Sequence, residues 1–429
     1  MLESLQFNLS AEKNIIYQMN ITLIEHGLLS SEKFDVSSLH LELNSNAEGE
    51  IPKYLGLNYT GYVSYYVGAA WLVENKTALI VYPKFKDIDF VSIFSAAFSE
   101  DIKLDYLQNS YSINFSAPPI EDKTLDSILS PLIVAHFICV IKRLLLKGLR
   151  KQYIIREENL KNKTKGHVLP FKTFQKNVIR GHAEKTYCRF QEYSCDTPEN
   201  RLLKKALIAA ISIVGNSQGL LIPLRKYLSA FHNVSENATY QPVNSFRKDK
   251  LHTDYPEAIR LAKIILRKKD FSISQNGSVK HLVPEFAIDM SRIFEFYTLS
   301  WLRKNVNTKV LFQEEAGIMG ICDYLIPAEK LIIDAKYKYY YNIPFEKLKK
   351  ETKALIIADI REVAGYGRSE RIRKILNVEA DDKEVKCLII YPIASETKEL
   401  NDKTDLFKDK IKGVSNFYKL GVPVPLLKH

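Results

Sequence analysis

Residues 321–338 constrain the fold of this 429-residue chain more than any other segment, because they have the pattern of two apolar strands joined by a short turn. The aliphatic and aromatic residues after Asp323 form the first strand, Pro327 to Lys330 form the turn, and Leu331 to Ile333 form the second strand. Consecutive apolar residues are typical of a strand covered on both faces. We therefore expect a sheet flanked by helices in this region.

Three polar residues lie in these two strands: Asp323 in the first, and Asp334 and Lys336 at the end of the second. Because side chains alternate along a strand, Asp334 and Lys336 share a face, and Asp323 lies near Asp334 if the strands pair. Neighbouring carboxylates repel each other, and a divalent cation is the usual way to keep both ionised.

This pattern favours phosphodiester hydrolysis. Mg²⁺, or Mn²⁺ in its place, would be held by Asp323, Asp334 and the Ala335 carbonyl oxygen. The ion would bind a phosphate oxygen and lower the pKa of a bound water. Lys336 would orient that water or stabilise the negative charge that develops on the phosphorus oxygens.

An Asp-x-Lys triplet also arises by chance, so an exposed edge strand or a structural ion pair is the alternative interpretation. The apolar Ile332 and Ile333 argue against an exposed strand. The surrounding elements also favour the nuclease interpretation, since an Asp on one strand and Asp/Glu-x-Lys on the next is the pattern of PD-(D/E)xK nucleases. The predicted elements are a helix over 285–303, strands over 309–313, 318–326 and 331–338, a helix over 352–368 and a strand over 385–391.

Two helices offer supporting side chains. In the helix over 352–368, Asp359, Glu362 and Tyr366 share one face. RecB-like nucleases carry a Gln-x-x-x-Tyr pair on this helix; Glu362 replaces the Gln here, and an ordinary solvated face is the alternative. Glu295 is a lone carboxylate in an apolar run, interpreted as a third acid of the site or as an ordinary surface residue.

Charge divides the chain unevenly. Residues 1–126 contain eight Lys and Arg but 17 Asp and Glu, whereas the remainder is strongly basic and gives the whole chain a net charge of +11. A basic surface favours an anionic partner, so we expect DNA to bind the later part. The predicted DNA contacts are Arg267, Lys268 and Lys269 in a basic helix over 259–269, together with Lys338; solubilising charge is the alternative.

The predicted fold class is α+β multidomain. The acidic region over 1–126 would be a mixed α/β docking domain, with a hairpin of strands over 61–73 and 78–85, a helix over 89–98 and a loop over 109–126. Residues 127–284 would be a mainly helical, basic connecting region, with Ser130-Pro131 and Thr197-Pro198 starting helices. Residues 285–429 would form the C-terminal α/β domain of the PD-(D/E)xK restriction-endonuclease type.

Other features narrow the class of protein. The chain begins without the pattern of a secretion signal, and its longest apolar stretch, from Pro131 to Ile141, is shorter than the roughly 20 residues of a membrane span. Five cysteines without a Cys-x-x-Cys pair predict neither a zinc site nor a disulfide framework. We expect a cytoplasmic protein with no membrane partner. The sequence also lacks the G-x-x-x-x-G-K-[ST] motif of nucleotide-driven motors.

Most of residues 60–395 resembles the McrC family, the nuclease subunit of modified-cytosine-dependent McrBC restriction systems. The most specific matches are the Asp196–Lys204 segment (Asp-Thr-Pro-Glu-Asn-Arg-Leu-Leu-Lys) and Asp334-Ala335-Lys336-Tyr337-Lys338. Weaker matches are Tyr65-Tyr66-Val67-Gly68, Val81-Tyr82-Pro83-Lys84, Lys147-Gly148-Leu149, Glu157-Glu158-Asn159-Leu160, Lys165-Gly166 and Phe294-Glu295.

The resemblance implies a two-subunit machine. The N-terminal domain would dock into the ring of a hexameric McrB-like AAA+ GTPase and stimulate its GTP hydrolysis, so that GTP acts only through the partner. The C-terminal domain would cut DNA. Two alternatives remain: a non-catalytic DNA-binding activator of the GTPase with a vestigial metal site, and a stand-alone nuclease.

Overall fold

The described residues of the computed structural model fall into two compact units. The structure describes residues 19–30, 34–39, 53–98, 102, 106–107, 109–215, 217–236, 253–272, 281–378, 385–394 and 406–427. Unit 1 combines residues 1–129 with 278–429, and unit 2 spans 130–277. The predicted three domains over 1–126, 127–284 and 285–429 stay predictions.

Helices and several sheets occur together, which confirms the predicted α+β class. The described strands are β1 (Met19–Ile24), β2 (Tyr66–Val73), β3 (Thr77–Tyr82), β4 (Tyr111–Asn114), β5 (Ile120–Glu121), β6 (Gln152–Lys161), β7 (His167–Val168), β8 (Lys185–Ser194), β9 (Leu282–Val283), β10 (Glu285–Asp289), β11 (Leu311–Glu315), β12 (Ile321–Ile326), β13 (Leu331–Ala335), β14 (Lys386–Ala394) and β15 (Phe417–Val424). The described α-helices are α1 (Phe90–Ala97), α2 (Lys123–Lys147), α3 (Pro170–Lys176), α4 (Pro198–Val214), α5 (Gln218–Ser229), α6 (Tyr255–Ser272), α7 (Met290–Asn305), α8 (Lys350–Tyr366) and α9 (Glu370–Ile375).

The first sheet of unit 1 has the order β1-β3-β2-β10-β4. The predicted hairpin is confirmed, since β2 and β3 pair antiparallel. Strand β10 lies between β2 and β4 although it is far from both in sequence. Gly68 makes this pairing possible: a Cβ at this position would lie 2.0 Å from the carbonyl oxygen of Phe286.

The second sheet of unit 1 has the order β11-β12-β13-β14-β15. Strands β11, β12 and β13 pair antiparallel, and β13, β14 and β15 pair parallel. Every residue of β13 is buried, as its apolar sequence predicts. Ile332 packs in a core with Ile356 and Val363 of α8.

Three predicted element boundaries in unit 1 are wrong. Helix α2 starts at Lys123, where the Asp122 carboxylate accepts a hydrogen bond from the amide of Leu125, so Pro131 lies inside the helix instead of starting it. Residues 109–126, predicted as a loop, contain β4 and β5. The predicted helix over 285–303 begins only after β10, and the Asp289 carboxylate caps it.

Helix α2 is long and apolar enough to cross a membrane by length and composition alone. Most of its apolar window is buried inside the structure, as in the core helix of a water-soluble protein.

Unit 2 contains a three-stranded sheet of order β6-β8-β7 and most of α2. Strands β6 and β8 pair antiparallel along ten residues each and form a long ribbon. Helix α4 starts at the predicted place, since the Thr197 hydroxyl accepts a hydrogen bond from the amide of Asn200.

Candidate active site

The predicted carboxylates lie on neighbouring strands of the second sheet. Tyr324 of β12 pairs with Ile333 of β13, and continuing that register by one residue places Asp323 opposite Asp334. An oxygen of Asp323 also accepts a hydrogen bond of 2.8 Å from the amide of Ala335. The strands therefore bring together the two acids and the residue whose carbonyl is predicted to bind the metal.

Lys336 follows β13 and is held by three contacts. Its amide donates to the carbonyl oxygen of Ile390 at 2.8 Å. Its Nζ lies 2.8 Å from Oδ2 of Asp334 and 2.8 Å from Oε2 of Glu362. Burial disfavours the ammonium, but the carboxylates of Asp334 and Glu362 together outweigh burial and raise the pKa of Lys336. Lys336 is therefore a fixed positive charge beside the acids.

Glu295, the predicted third acid, lies on α7 close to the same group. Its carboxylate accepts a hydrogen bond of 3.1 Å from the side-chain amide of Gln313, and its backbone carbonyl accepts one of 2.6 Å from the hydroxyl of Tyr324. Burial, with the charges of Asp289 and Asp334, raises the pKa of Glu295 to about 8.

The acids shift one another's protonation. Burial raises the pKa of Asp323 well above its ordinary value, and the charges of Glu295 and Asp334 add to that rise. Burial also raises the pKa of Asp334, although Lys336 opposes the shift. Burial and mutual repulsion thus disfavour the ionised form of these acids, and a cation bound among them would favour it.

The predicted face of α8 points at the same site. Glu362 binds Lys336, and the Tyr366 hydroxyl donates to the other oxygen of Glu362 at 3.1 Å. Burial opposes ionisation of Glu362, but Lys336, Tyr366 and Lys338 together outweigh burial and lower the pKa of Glu362. Burial raises the pKa of Tyr366, and the charge of Asp334 adds to the rise. This face of α8 is thus a contact surface for the site and not an ordinary solvated face.

Lys338 does not present a free ammonium to DNA. Its Nζ lies 2.7 and 2.9 Å from the two oxygens of the buried Asp359. The Tyr341 hydroxyl donates to the same carboxylate at 2.6 Å. Lys338 therefore joins the segment after β13 to α8, a structural role that its charge alone does not indicate.

The predicted DNA contacts on α6 are only partly at the surface. Arg267 is exposed and Lys269 is half-buried, but Lys268 is only 2% exposed. The prediction for Lys268 is therefore wrong as a surface contact, because the amphipathic helix turns this position inwards.

The residues fit a magnesium ion held by few protein ligands. Among the described residues there is no group of three or more His, Cys, Asp or Glu side chains that could hold a metal by themselves. Mg²⁺ usually binds one or two carboxylates and completes its shell with water and substrate phosphate. Asp323, Asp334 and the carbonyl oxygen of Ala335 match that ligand set in number and chemistry.

The Asp196–Lys204 segment has a structural role. The Asn200 side-chain amide donates to the carbonyl oxygens of Arg150 and Cys195, and its oxygen accepts from the Tyr255 hydroxyl. Asp196 binds Arg201 through two hydrogen bonds of 2.8 Å. This segment joins α4 to neighbouring parts of unit 2, which explains its distinctive sequence without a catalytic role.

A scan of protein families matches residues 62–355 to the McrBC 5-methylcytosine restriction system component. The chain belongs to this family. The match confirms the resemblance drawn from the sequence. No curated protein matches the chain.

Two solved structures from Thermococcus gammatolerans are similar to the chain. One is the refined half-complex from a tetradecameric assembly of McrB AAA+ hexamers with bound McrC, with 15% identity, coverage of 95% of both chains and a TM-score of 0.37. The other is a McrBC complex, with 16% identity, coverage of 68% of this chain and 89% of the matched chain, and a TM-score of 0.28.

Proposed function

We propose that this chain is the Mg²⁺-dependent DNA endonuclease subunit of a McrBC-type restriction system, with a PD-(D/E)xK site in its C-terminal region. The observation that carries the proposal is the meeting of Asp323, Asp334 and Lys336 on and beside β12 and β13. Family membership supports it, because the family is a component of a restriction system.

In this proposal the side chains of the site have different roles. Asp323, Asp334 and the Ala335 carbonyl would hold Mg²⁺, which when bound supplies charge neutralisation at a phosphate oxygen and a water of lowered pKa. Lys336, fixed between Asp334 and Glu362, would stabilise the negative charge that develops on the phosphate. Glu362 would hold Lys336 in place while the DNA is absent, and Tyr366 would orient Glu362.

Family membership also supports a GTPase partner. One of the similar structures, from Thermococcus gammatolerans, contains McrB AAA+ hexamers with bound McrC. We extend that arrangement to this chain: a hexameric AAA+ GTPase would bind GTP and recognise DNA, and this chain would stimulate GTP hydrolysis and cut. Docking of the acidic region over 1–126 and a cytoplasmic location without membrane contact belong to the same proposal.

Substitution Asp334→Ala tests the catalytic assignment. Metal-assisted catalysis contributes several kcal/mol, so we expect cleavage to fall by about a thousandfold or more. The measurement is cleavage of methylated plasmid DNA by the chain with its cognate GTPase, GTP and Mg²⁺. Glu351→Ala, at an exposed position in the first turn of α8, is the control and should cut normally.

The same assay separates the alternatives. Retained cutting by Asp334→Ala would remove the assignment. A wild-type chain that stimulates GTP hydrolysis and never cuts would be a non-catalytic activator. Cutting by the isolated chain without nucleotide would indicate a stand-alone nuclease.

A further inference from the structure

A lysine beside the first sheet touches the backbone immediately after the candidate catalytic motif. Lys84 follows β3, and its Nζ donates a hydrogen bond of 2.6 Å to the carbonyl oxygen of Tyr337. The same Nζ lies 3.4 Å from the centre of the Tyr337 ring. Tyr337 stands between Lys336 and Lys338, so one side chain from the first sheet holds the segment that carries both lysines.

This contact is built into the interior. The Lys84 side chain is 8% exposed, and Glu25, which follows β1, has a completely buried side chain with its carboxylate 3.9 Å from Nζ of Lys84. Oε2 of Glu25 also accepts a hydrogen bond of 3.3 Å from the amide of Lys84. A buried charge is strongly unfavourable unless it is paired, and these two groups pair with each other.

Two aromatic side chains also pack against the ring of Tyr337. Its ring centre lies 5.7 Å from that of Phe294 on α7 and 6.2 Å from that of Phe85. Phe294 precedes Glu295, the third acid of the candidate site. The Tyr337 ring therefore connects the first sheet with α7 and with the end of β13.

We propose that Lys84 is a positioning residue for the candidate active site, which it serves by holding Tyr337 so that Lys336 stays directed at Asp334. This inference rests on the proposed nuclease function.

The alternative explanation is simple stability. Lys84→Met removes the donor and leaves Glu25 buried without a cation, which by itself destabilises the folded chain. The double variant Glu25→Gln/Lys84→Met removes both charges and avoids that penalty, but it still lacks the donor to Tyr337. Lys86→Met, at an exposed position two residues away, is the matched control.

The experiment combines two measurements on the full-length chain. The first is hydrogen–deuterium exchange of peptides covering 331–340, without partner or DNA. The second is DNA cleavage with the cognate GTPase, GTP and Mg²⁺, with kcat and KM determined separately.

We expect Lys84→Met and the double variant to exchange at least about tenfold faster at 335–338 and to show kcat lowered at least about tenfold with KM little changed. Lys84→Arg, which keeps a donor and a charge, should restore part of kcat. Normal exchange and normal kcat in the double variant would overturn the inference, since the effect of Lys84→Met would then be the unpaired Glu25.

Failure of the proposed function has a different signature. If Asp334→Ala cuts normally, the nuclease assignment is wrong, and faster exchange in the Lys84 variants then shows only that Lys84 anchors the segment. If Asp334→Ala is inactive and Lys84→Met cuts normally with normal exchange, the nuclease assignment stands and the inference about Lys84 falls.

Discussion

At the residue scale, some contacts of the candidate site join residues close together in the sequence, and others join distant ones. Asp334 lies near the end of β13 and Lys336 directly follows the strand, two positions later, so the sequence places them together without knowledge of the rest of the fold. Lys338 has the same spacing from Lys336, but its ammonium binds Asp359 on a helix that starts later in the chain. A charge pattern cannot distinguish a lysine that binds phosphate from one that binds a buried carboxylate.

His136 gives a pH-dependent prediction at the same scale. Burial, with the charges of Arg260 and Arg143, lowers the pKa of His136 from its ordinary value of 6.5 to about 3, so the folded chain keeps it neutral. In the unfolded chain this histidine binds a proton below about pH 6.5, so its contribution to the free energy of unfolding falls between about pH 6.5 and about pH 3, by up to about 1.4 kcal/mol per pH unit.

Urea unfolding of the full chain between pH 7 and pH 4 measures this loss. Because Glu295 and Asp323 contribute with the opposite sign, the variants are compared with the unsubstituted chain: the relative stability of His136→Gln should rise as the pH falls, and that of His232→Gln, at an exposed position, should not. Equal slopes in all three proteins would show that His136 does not titrate in this way.

At the element scale, the structure differs from the sequence prediction where a strand depends on distant partners. Residues 285–289 look helical because they precede an apolar helical pattern, but they form β10 between β2 and β4. Hydrogen bonds to two neighbouring strands outweigh a weak local preference. By contrast, the predicted bounds of α8 and β14 lie within a few residues of the observed ones, since their apolar patterns alone indicate them.

Gly68→Ala tests the β2–β10 pairing. The new Cβ would lie 2.0 Å from the Phe286 carbonyl oxygen, and the positive φ of +154° also disfavours alanine. The strands must separate, so we expect a loss of about 1–3 kcal/mol or more in the free energy of unfolding.

The matched control is Gly365→Ala in α8, where the nearest heavy atom to a new Cβ is the sulfur of Met319 at 3.7 Å. Alanine in a helix should stabilise the protein by about 0.4–1 kcal/mol. Chemical denaturation measures both variants, and an unchanged stability of Gly68→Ala would mean that β10 pairs differently.

At the scale of the whole molecule, unit 2 carries exposed apolar side chains next to its ribbon that the sequence analysis did not single out. Phe171 on α3 is 80% exposed and Ile179, a few residues later, is 66% exposed. Large exposed apolar side chains are frequent in protein–protein contacts. These two positions therefore offer a test of where the GTPase partner proposed above binds.

The double variant Phe171→Ser/Ile179→Ser tests that surface. If this surface binds the GTPase, the double variant should stimulate GTP hydrolysis at least about tenfold less than the unsubstituted chain. The reason is that losing interface side chains worth more than about 1.4 kcal/mol weakens binding about tenfold. The stability should change by less than about 1 kcal/mol, because both side chains are exposed. Ile222→Ser, at an exposed position on α5, is the control, and normal stimulation by the double variant would leave the acidic region as the docking candidate.

The sequence by itself determined the strand–turn–strand of 321–338, the helix cap at Thr197 and the shared face of Asp359, Glu362 and Tyr366, because each depends on residues close together in the chain. Only the tertiary structure decided that residues 1–129 and 278–429 form one unit, that Lys268 is buried and that Lys84 reaches Tyr337. These facts depend on contacts between distant segments. Their energies come from burial and from pairing of buried charges, which no local pattern records.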